Sequence, residues 1–172
     1  MDVRRVLVAV GLMSVLVLGV KANAEDKFGY VDMRKVIAET TIGKKAVKEL
    51  EKEQKTKSEE FQKKDADLKK MAEDLEKKKA VLSDEARLKK QGELQQESLK
   101  LREAFLQAQQ AMQKKERDVM QPVYEKIQET IQTVAKEQGY GLVFEKNEQV
   151  LLYAKKDLDL TDVVVKTLEK GK

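Results

Sequence analysis

The side chains that could carry chemistry in this sequence are almost all lysines and carboxylates. The 172 residues include 35 Lys and Arg and 31 Asp and Glu, but no Cys and no His. The chain therefore offers no thiol nucleophile, no disulfide, no zinc or haem site of the usual kind, and no imidazole base near neutral pH. None of its serines lies in a Ser-x-x-Lys or Gly-x-Ser-x-Gly frame. We expect a protein that is not an enzyme and that uses no cofactor and no metal.

The basic surplus is concentrated in the middle of the sequence. Residues 44–121 contain 21 basic and 17 acidic side chains, whereas residues 122–172 contain 8 basic and 9 acidic ones. A surface with this surplus attracts acidic peptide segments and anionic lipid head groups over a Debye length, about 10 Å at 0.1 M salt. The candidate residues for binding such partners are Lys69, Lys70, Lys77, Lys78, Lys79, Arg87, Lys89 and Lys90.

The first 24 residues have the pattern of a cleaved signal peptide. Arg4 and Arg5 precede an uncharged apolar run from Val6 to Val20, and a small-x-small site follows at 22–24. The alternative is a retained membrane anchor, but the run is shorter than the roughly 20 residues that span a bilayer. Export without cysteines is typical of a periplasmic protein of a Gram-negative-type envelope that does not depend on disulfides. ATP is absent there, so any work would depend on binding energy alone.

Two long helices are predicted next. No Pro or Gly interrupts the chain from Lys44 to about Leu82, and one line of a heptad seam recurs there at Val47, Gln54, Phe61, Leu68, Leu75 and Leu82. The second seam line is interrupted by lysines at 57, 64 and 78, and we expect these lysines to let the helices splay. Ser83 is a candidate N-cap for a second helix from Asp84 to about Gln138, where Gly139 would end it. Pro122 should kink this helix or change its phase. The pattern predicts an antiparallel hairpin arm over residues 43–121, with its tip near 79–84.

The remaining mature residues, 25–42 and 122–172, predict a small body with three strands. Strands are expected at 27–31, 141–144 and 150–154, with a short helix after the first and another capped by Thr161. A unit of this size is marginal alone, yet it holds six of the eight aromatic residues, so we expect self-association. The candidate oligomerisation residues are Phe28, Tyr30, Val31, Leu142, Phe144, Leu151 and Tyr153. The predicted fold class is α+β, mostly α: a long coiled-coil hairpin inserted in an oligomeric, barrel-like β-body.

Several segments together resemble the Skp/OmpH family of periplasmic chaperones for outer-membrane proteins. They are a signal peptide, Gly-Tyr-Val-Asp at 29–32, a charged hairpin turning at 82–86, Tyr-Gly-Leu-Val-Phe at 140–144, and Asp-Leu-Thr-Asp at 159–162. The resemblance covers essentially all of residues 26–170. It implies a homotrimer whose three arms project from a small β-body and enclose a cavity that holds unfolded outer-membrane proteins without ATP. A lipopolysaccharide site is also proposed within the family, and its residues are not transferred to this sequence.

Two other functions compete with this holdase, meaning a chaperone that only binds. A structural or tethering coiled-coil protein of the envelope would use the same helices as a spacer and would not prevent aggregation. A cationic binder of lipopolysaccharide or nucleic acid would bind with a steep salt dependence. Removal of residues 1–24 leaves 32 basic and 30 acidic side chains. This near balance argues against tight binding of a polyanion, so we expect no nucleic-acid partner.

Overall fold

The computed structural model describes residues 27–147 and 149–171, so the signal-peptide prediction lies outside the described residues. Two strands and four α-helices occur in this part of the chain, with a short 3-10 turn at Lys156–Leu158. In chain order they are β1 (Lys27–Val31), α1 (Met33–Glu39), α2 (Thr41–Lys78), α3 (Asp84–Gln138), β2 (Tyr140–Glu145) and α4 (Thr161–Lys170).

Helices α2 and α3 form a long antiparallel hairpin. At 1.5 Å per residue, the 38 residues of α2 extend about 57 Å and the 55 residues of α3 about 83 Å. Lys115 forms an ion pair with Glu49 near the base, and further out the rings of Phe61 and Phe105 meet edge to face at 5.3 Å. In an antiparallel pair of helices, contacting residues are closer together in sequence the nearer they lie to the turn, as these two contacts are. The predicted hairpin is therefore confirmed. We use "the hairpin" below for α2, α3 and their connection.

The ends of α3 follow local hydrogen-bonding rules that the sequence predicted. Ser83 Oγ accepts the backbone N–H of Ala86 at 3.3 Å, and this N-cap begins the helix. Gly139 ends it in the left-handed conformation, with φ +73°, a geometry that glycine adopts without steric penalty. Between these ends the helix continues through Pro122 without a break.

The corner between α1 and α2 is tight. Helix α2 begins at Thr41, and Gly43 lies in its first turn. A Cβ at position 43 would overlap the carbonyl oxygen of Ile37, so glycine is required for α1 and α2 to approach each other. The buried Thr40 hydroxyl accepts the Gly43 N–H at 3.4 Å and caps α2.

The sheet has two parallel strands, with Phe28 opposite Leu142 and Tyr30 opposite Phe144. The predicted third strand over 150–154 is wrong, because Asn147 starts a turn there. Its carbonyl accepts the N–H groups of Val150 and Leu151 at 2.9 and 2.7 Å, and its side chain accepts that of Gln149 at 2.9 Å. Donors used in a local turn are not available to a sheet ladder. Within the described residues one chain supplies two strands, so a barrel-like body would require strands from other copies.

The hydrophobic core lies where the sheet, α1, α4 and the base of the hairpin meet. Its buried members are Val31, Val36, Ala46, Val123, Ile127, Val134, Leu160, Val164 and Leu168. By contrast, no residue from 47 through 122 is buried. The hairpin therefore extends from the core without a core of its own.

Candidate functional site

Most of the predicted cations near the hairpin tip are already paired with carboxylates of their own helix. The pairs are Lys69 with Asp65 (2.8 Å), Lys70 with Asp67 (3.8 Å), Lys77 with Glu73 (4.0 Å), Lys78 with Asp74 (2.7 Å), Lys79 with Glu76 (3.3 Å) and Arg87 with Asp84 (2.6 Å). Within the described ranges, Lys89 and Lys90 have no carboxylate within 4.0 Å. Each partner lies three or four residues away, which is the spacing that brings side chains together on a helix. Because such exposed pairs stabilise by only a few tenths of a kcal/mol, they can open for another anion.

The lysines that interrupt the predicted seam lie at its half-exposed edges. Lys57 and Lys64 both contact Glu60, at 3.1 and 2.9 Å. The hydrogen bonds from Lys64 and then Lys57 lower the pKa of the Glu60 carboxyl. Polar contacts thus replace apolar packing along part of the seam.

An apolar hollow lies between the two helices halfway along the hairpin. It has a volume of about 460 Å³, and its apolar lining comes from Phe61, Phe105, Ala108 and Met112. Phe61 belongs to the predicted seam line of α2, and its ring contacts the ring of Phe105 on α3. Phe105 nevertheless stays 47% exposed, because two helices can cover only one face of each other. The packed seam is therefore also an accessible apolar surface.

Sequence reasoning missed several apolar side chains that the hairpin exposes. These large exposed residues are Val81, Leu88, Leu99 and Leu106. Leu99 and Leu106 are seven residues apart, a spacing that places both on one face of α3. This spacing was visible in the sequence and could have indicated an uncovered helix face.

The predicted oligomerisation residues separate into three groups. Phe28, Leu142 and Phe144 lie on one face of the sheet and are each about half exposed. Tyr30 shares that face but is buried, and burial, followed by the nearby Asp159 carboxylate, raises the pKa of its hydroxyl. Val31 belongs to the core. Leu151 and Tyr153 lie in the segment after β2, half-buried and exposed respectively.

The segments at 29–32 and 159–162 contact each other directly, in what we call the end junction. The backbone N–H of Asp32 donates to Thr161 Oγ1 at 2.9 Å, and the N–H of Thr161 donates to Asp159 Oδ1 at 2.9 Å. Thr161 was predicted to cap α4, but it is the first residue of that helix and its hydroxyl accepts from Asp32 instead. Asp32 caps α1 by accepting the Lys35 N–H at 3.0 Å, which is the main reason that the pKa of its carboxyl is lowered; Lys146, 3.4 Å away, lowers it further.

Within residues 27–147 and 149–171, no group of three or more carboxylates could hold a metal ion. None of the helices in this part of the chain is long and apolar enough to cross a membrane.

Both segments of the end junction, and the whole hairpin between them, fall inside one family match. The family described as Outer membrane protein (OmpH-like) matches residues 27–168, from the first residue of β1 to the buried Leu168 of α4. The chain belongs to this family. The predicted family membership is therefore confirmed.

Relatives of this OmpH-like chain match it over nearly its full length. An uncharacterized protein of Aquifex aeolicus is 31% identical over 155 residues, which cover 90% of this chain and 92% of the relative. The protein named Chaperone protein Skp of Photorhabdus laumondii is 25% identical over 170 residues, covering 96% and 99%. A crystal structure of a proposed outer membrane chaperone (OmpH-like) from Caulobacter crescentus superposes with a TM-score of 0.73 at 19% identity, covering 87% of each chain. The mostly helical fold with a small sheet is thus the OmpH-like fold.

Proposed function

We propose that this OmpH-like chain is an ATP-independent periplasmic holdase that binds unfolded outer-membrane proteins and prevents their aggregation. The observation that carries the proposal is the long hairpin in which no residue from 47 through 122 is buried, although it presents large apolar side chains. Exposure of large apolar side chains to water is energetically unfavourable, and exposed apolar patches commonly mark sites that bind other molecules. The similarity to Chaperone protein Skp supports a chaperone function, and membership of the family described as Outer membrane protein (OmpH-like) supports clients of the outer-membrane type.

The hairpin would hold clients through many weak contacts. Leu99, Phe105 and Leu106 supply apolar area, and the hollow beside Phe61 has room for a large client side chain. Individually weak contacts add up when several engage the same extended polypeptide. The tip cations add a salt-sensitive attraction for acidic client segments, lipopolysaccharide or anionic lipid surfaces.

Self-association completes the proposed chaperone. In this proposal residues 25–42 and 122–172 form an oligomerisation body, residues 43–121 form the arm, and the assembly is a homotrimer. The exposed sheet face of Phe28, Leu142 and Phe144 supports such an assembly, because a contiguous apolar face favours burial against another copy. Three hairpins would then enclose a cavity for the client. Export through a signal peptide at 1–24 would deliver the chain to the periplasm.

The test measures the solution mass of residues 25–172 by light scattering, alone and with an outer-membrane barrel protein diluted from urea. We expect about three times the mass of the mature chain, and a discrete soluble complex with the barrel protein. The variant Leu99→Ser/Phe105→Ser/Leu106→Ser should lose the complex and keep its mass. The control Gln95→Ser/Gln107→Ser/Gln110→Ser, on exposed positions of the same helix, should keep both.

The two alternatives predict different results in the same experiment. A tethering coiled-coil protein would be oligomeric, but the barrel protein would still aggregate. A cationic lipopolysaccharide binder would retain lipopolysaccharide at low salt and show no preference for unfolded protein. Either result would replace the holdase proposal.

A further inference from the structure

The corner between α1 and α2 contains a second hollow, of about 620 Å³, which we call the corner hollow. Ile37 and Ala38 from α1 and Val47 from α2 form its apolar floor. Arg34, Lys44 and Lys48 stand around this floor. The volume lies in the range of small-ligand sites, and the floor is shallow because Ala38 and Val47 are exposed.

The charge around the corner hollow is not compensated as it is near the hairpin tip. In the part of the chain that the structure describes, Arg34, Lys44 and Lys48 have no carboxylate within 4.0 Å. Six of the eight cations near the tip have such a partner. Glu51 is the single carboxylate among the residues that line the corner hollow. Three cations and one carboxylate beside an apolar floor match a ligand that is both acidic and apolar.

Two sets of contacts fix the positions of α1 and α2 around the corner hollow. Gly43 allows α2 to approach Ile37 closely, and Thr40 between the helices is fully buried. Glu169 of α4 accepts the Thr41 N–H at 2.7 Å and the Thr41 hydroxyl at 3.0 Å, which ties the first turn of α2 to the core. A preformed site loses little conformational entropy when a ligand binds.

We propose that the corner hollow binds a segment of unfolded polypeptide in which an Asp or Glu lies beside an aliphatic or aromatic residue. This inference rests on the proposed holdase function and assigns a client-binding element to the base of the hairpin. The cations pair with the carboxylate, and the floor covers the neighbouring apolar side chain. A shallow floor suits one or two side chains better than the long acyl chain of a lipid.

The test uses the intact protein and a short fluorescent peptide that alternates Leu and Asp, with binding followed by anisotropy. The variant Arg34→Gln/Lys44→Gln/Lys48→Gln should bind it about tenfold more weakly, since three exposed ion pairs are lost. The control Lys52→Gln/Lys55→Gln/Lys63→Gln has the same net charge, changes exposed lysines of α2 outside the hollow, and should stay within about twofold of the parent. Parent affinity should also fall as ionic strength rises from about 0.01 to about 1 M, because the Debye length shortens from about 30 to about 3 Å.

A second variant tests the apolar half of the site. Val47→Ser should weaken binding of the Leu and Asp peptide but not of a peptide that alternates Ser and Asp.

The inference would be overturned if the parent and the triple corner variant bound the peptide with equal affinity, or if the control lost as much affinity as the triple variant. It would also be overturned if the triple corner variant lost binding only to vesicles that contain phosphatidylglycerol and not to the peptide. That result would assign the hollow to a lipid surface. If the triple variant binds the peptide normally and the parent still keeps the barrel protein soluble, only this inference fails. If the parent lets the barrel protein aggregate, the proposed holdase function fails.

Discussion

Asp32 and Thr161 are 129 positions apart in sequence, yet the backbone N–H of Asp32 donates to Thr161 Oγ1 at 2.9 Å. The bond joins the end of β1 to the first residue of α4, and the entire hairpin lies between these two points in the chain. Lys35 and Asp162 form an ion pair beside it at 2.7 Å. The end junction thus closes the chain at the base of the hairpin.

Thr161→Val should destabilise the protein by about 1–3 kcal/mol, because it leaves the Asp32 N–H without an acceptor in a site where Thr161 is 1% exposed. Urea unfolding followed by circular dichroism measures the loss. Thr133→Val is the matched control, since the exposed Thr133 hydroxyl donates only to the carbonyl of Glu129 in its own helix. Equal urea midpoints for the two variants would show that the bond does not contribute.

Asp32→Asn should flatten the dependence of stability on acid pH. The folded-state pKa of the Asp32 carboxyl is lowered, so its ionisation stabilises the fold above the ordinary Asp pKa of about 4. This stabilisation is lost as the pH falls through the lowered folded-state value. The difference in unfolding free energy between the parent and Asp32→Asn should therefore shrink from pH 7 toward pH 2. Asp32→Ala, which also removes the N-cap, should lose about 1 kcal/mol more at every pH.

Two glycines in helices should respond to alanine in opposite ways. Gly43→Ala places a Cβ against the Ile37 carbonyl and should destabilise the protein by several kcal/mol, as overpacking against backbone does. Gly92→Ala has nothing within 4 Å of the new Cβ and should stabilise it by about 0.5–1 kcal/mol. Thermal melts of the two variants test the pair, and a neutral Gly43→Ala would contradict the close approach of α1 to α2.

The edge-to-face contact of Phe61 and Phe105 should be measurable as a coupling energy. Their ring centroids are 5.3 Å apart at an interplanar angle of 78°, and such pairs contribute about 0.5–1.5 kcal/mol beyond burial. A double-mutant cycle with alanine at both positions should give the lower end of that range, because Phe105 is half exposed. The combination of Phe61→Ala with Leu88→Ala should be additive, since Leu88 lies far along α3 toward the tip.

Replacing the seam lysines should stiffen the hairpin. Lys57→Leu/Lys64→Leu/Lys78→Leu exchanges polar contacts for apolar packing at the seam edges, so amide hydrogen exchange in α2 and α3 should slow and the range of clients should narrow. Lys52→Leu/Lys55→Leu/Lys63→Leu, on exposed positions of α2, should leave exchange unchanged. Unaltered exchange and client range in the seam variant would refute the idea that these lysines let the helices splay.

The sequence by itself determined the long helices and their ends. Heptad spacing predicted the hairpin, Ser83 predicted the start of α3, and Gly139 predicted its end. The helices and their ends depend on hydrogen bonds and side-chain contacts between residues at most a few positions apart, so they can be read from short windows of sequence. Family membership was also accessible, because the distinctive segments at both ends could be compared directly.

Only the tertiary structure decided which surfaces remain available for binding. Residues 150–154 have the composition of a strand, but the Asn147 turn uses the backbone donors of Val150 and Leu151. The tip lysines formed the most conspicuous cationic stretch in the sequence, yet most of them have a carboxylate partner. Three other cations, Arg34, Lys44 and Lys48, meet at the corner between α1 and α2, which exists because Gly43 lets these helices pack closely. The availability of a charge or an apolar side chain depends on which distant residues approach it, and no local pattern in the sequence encodes that approach.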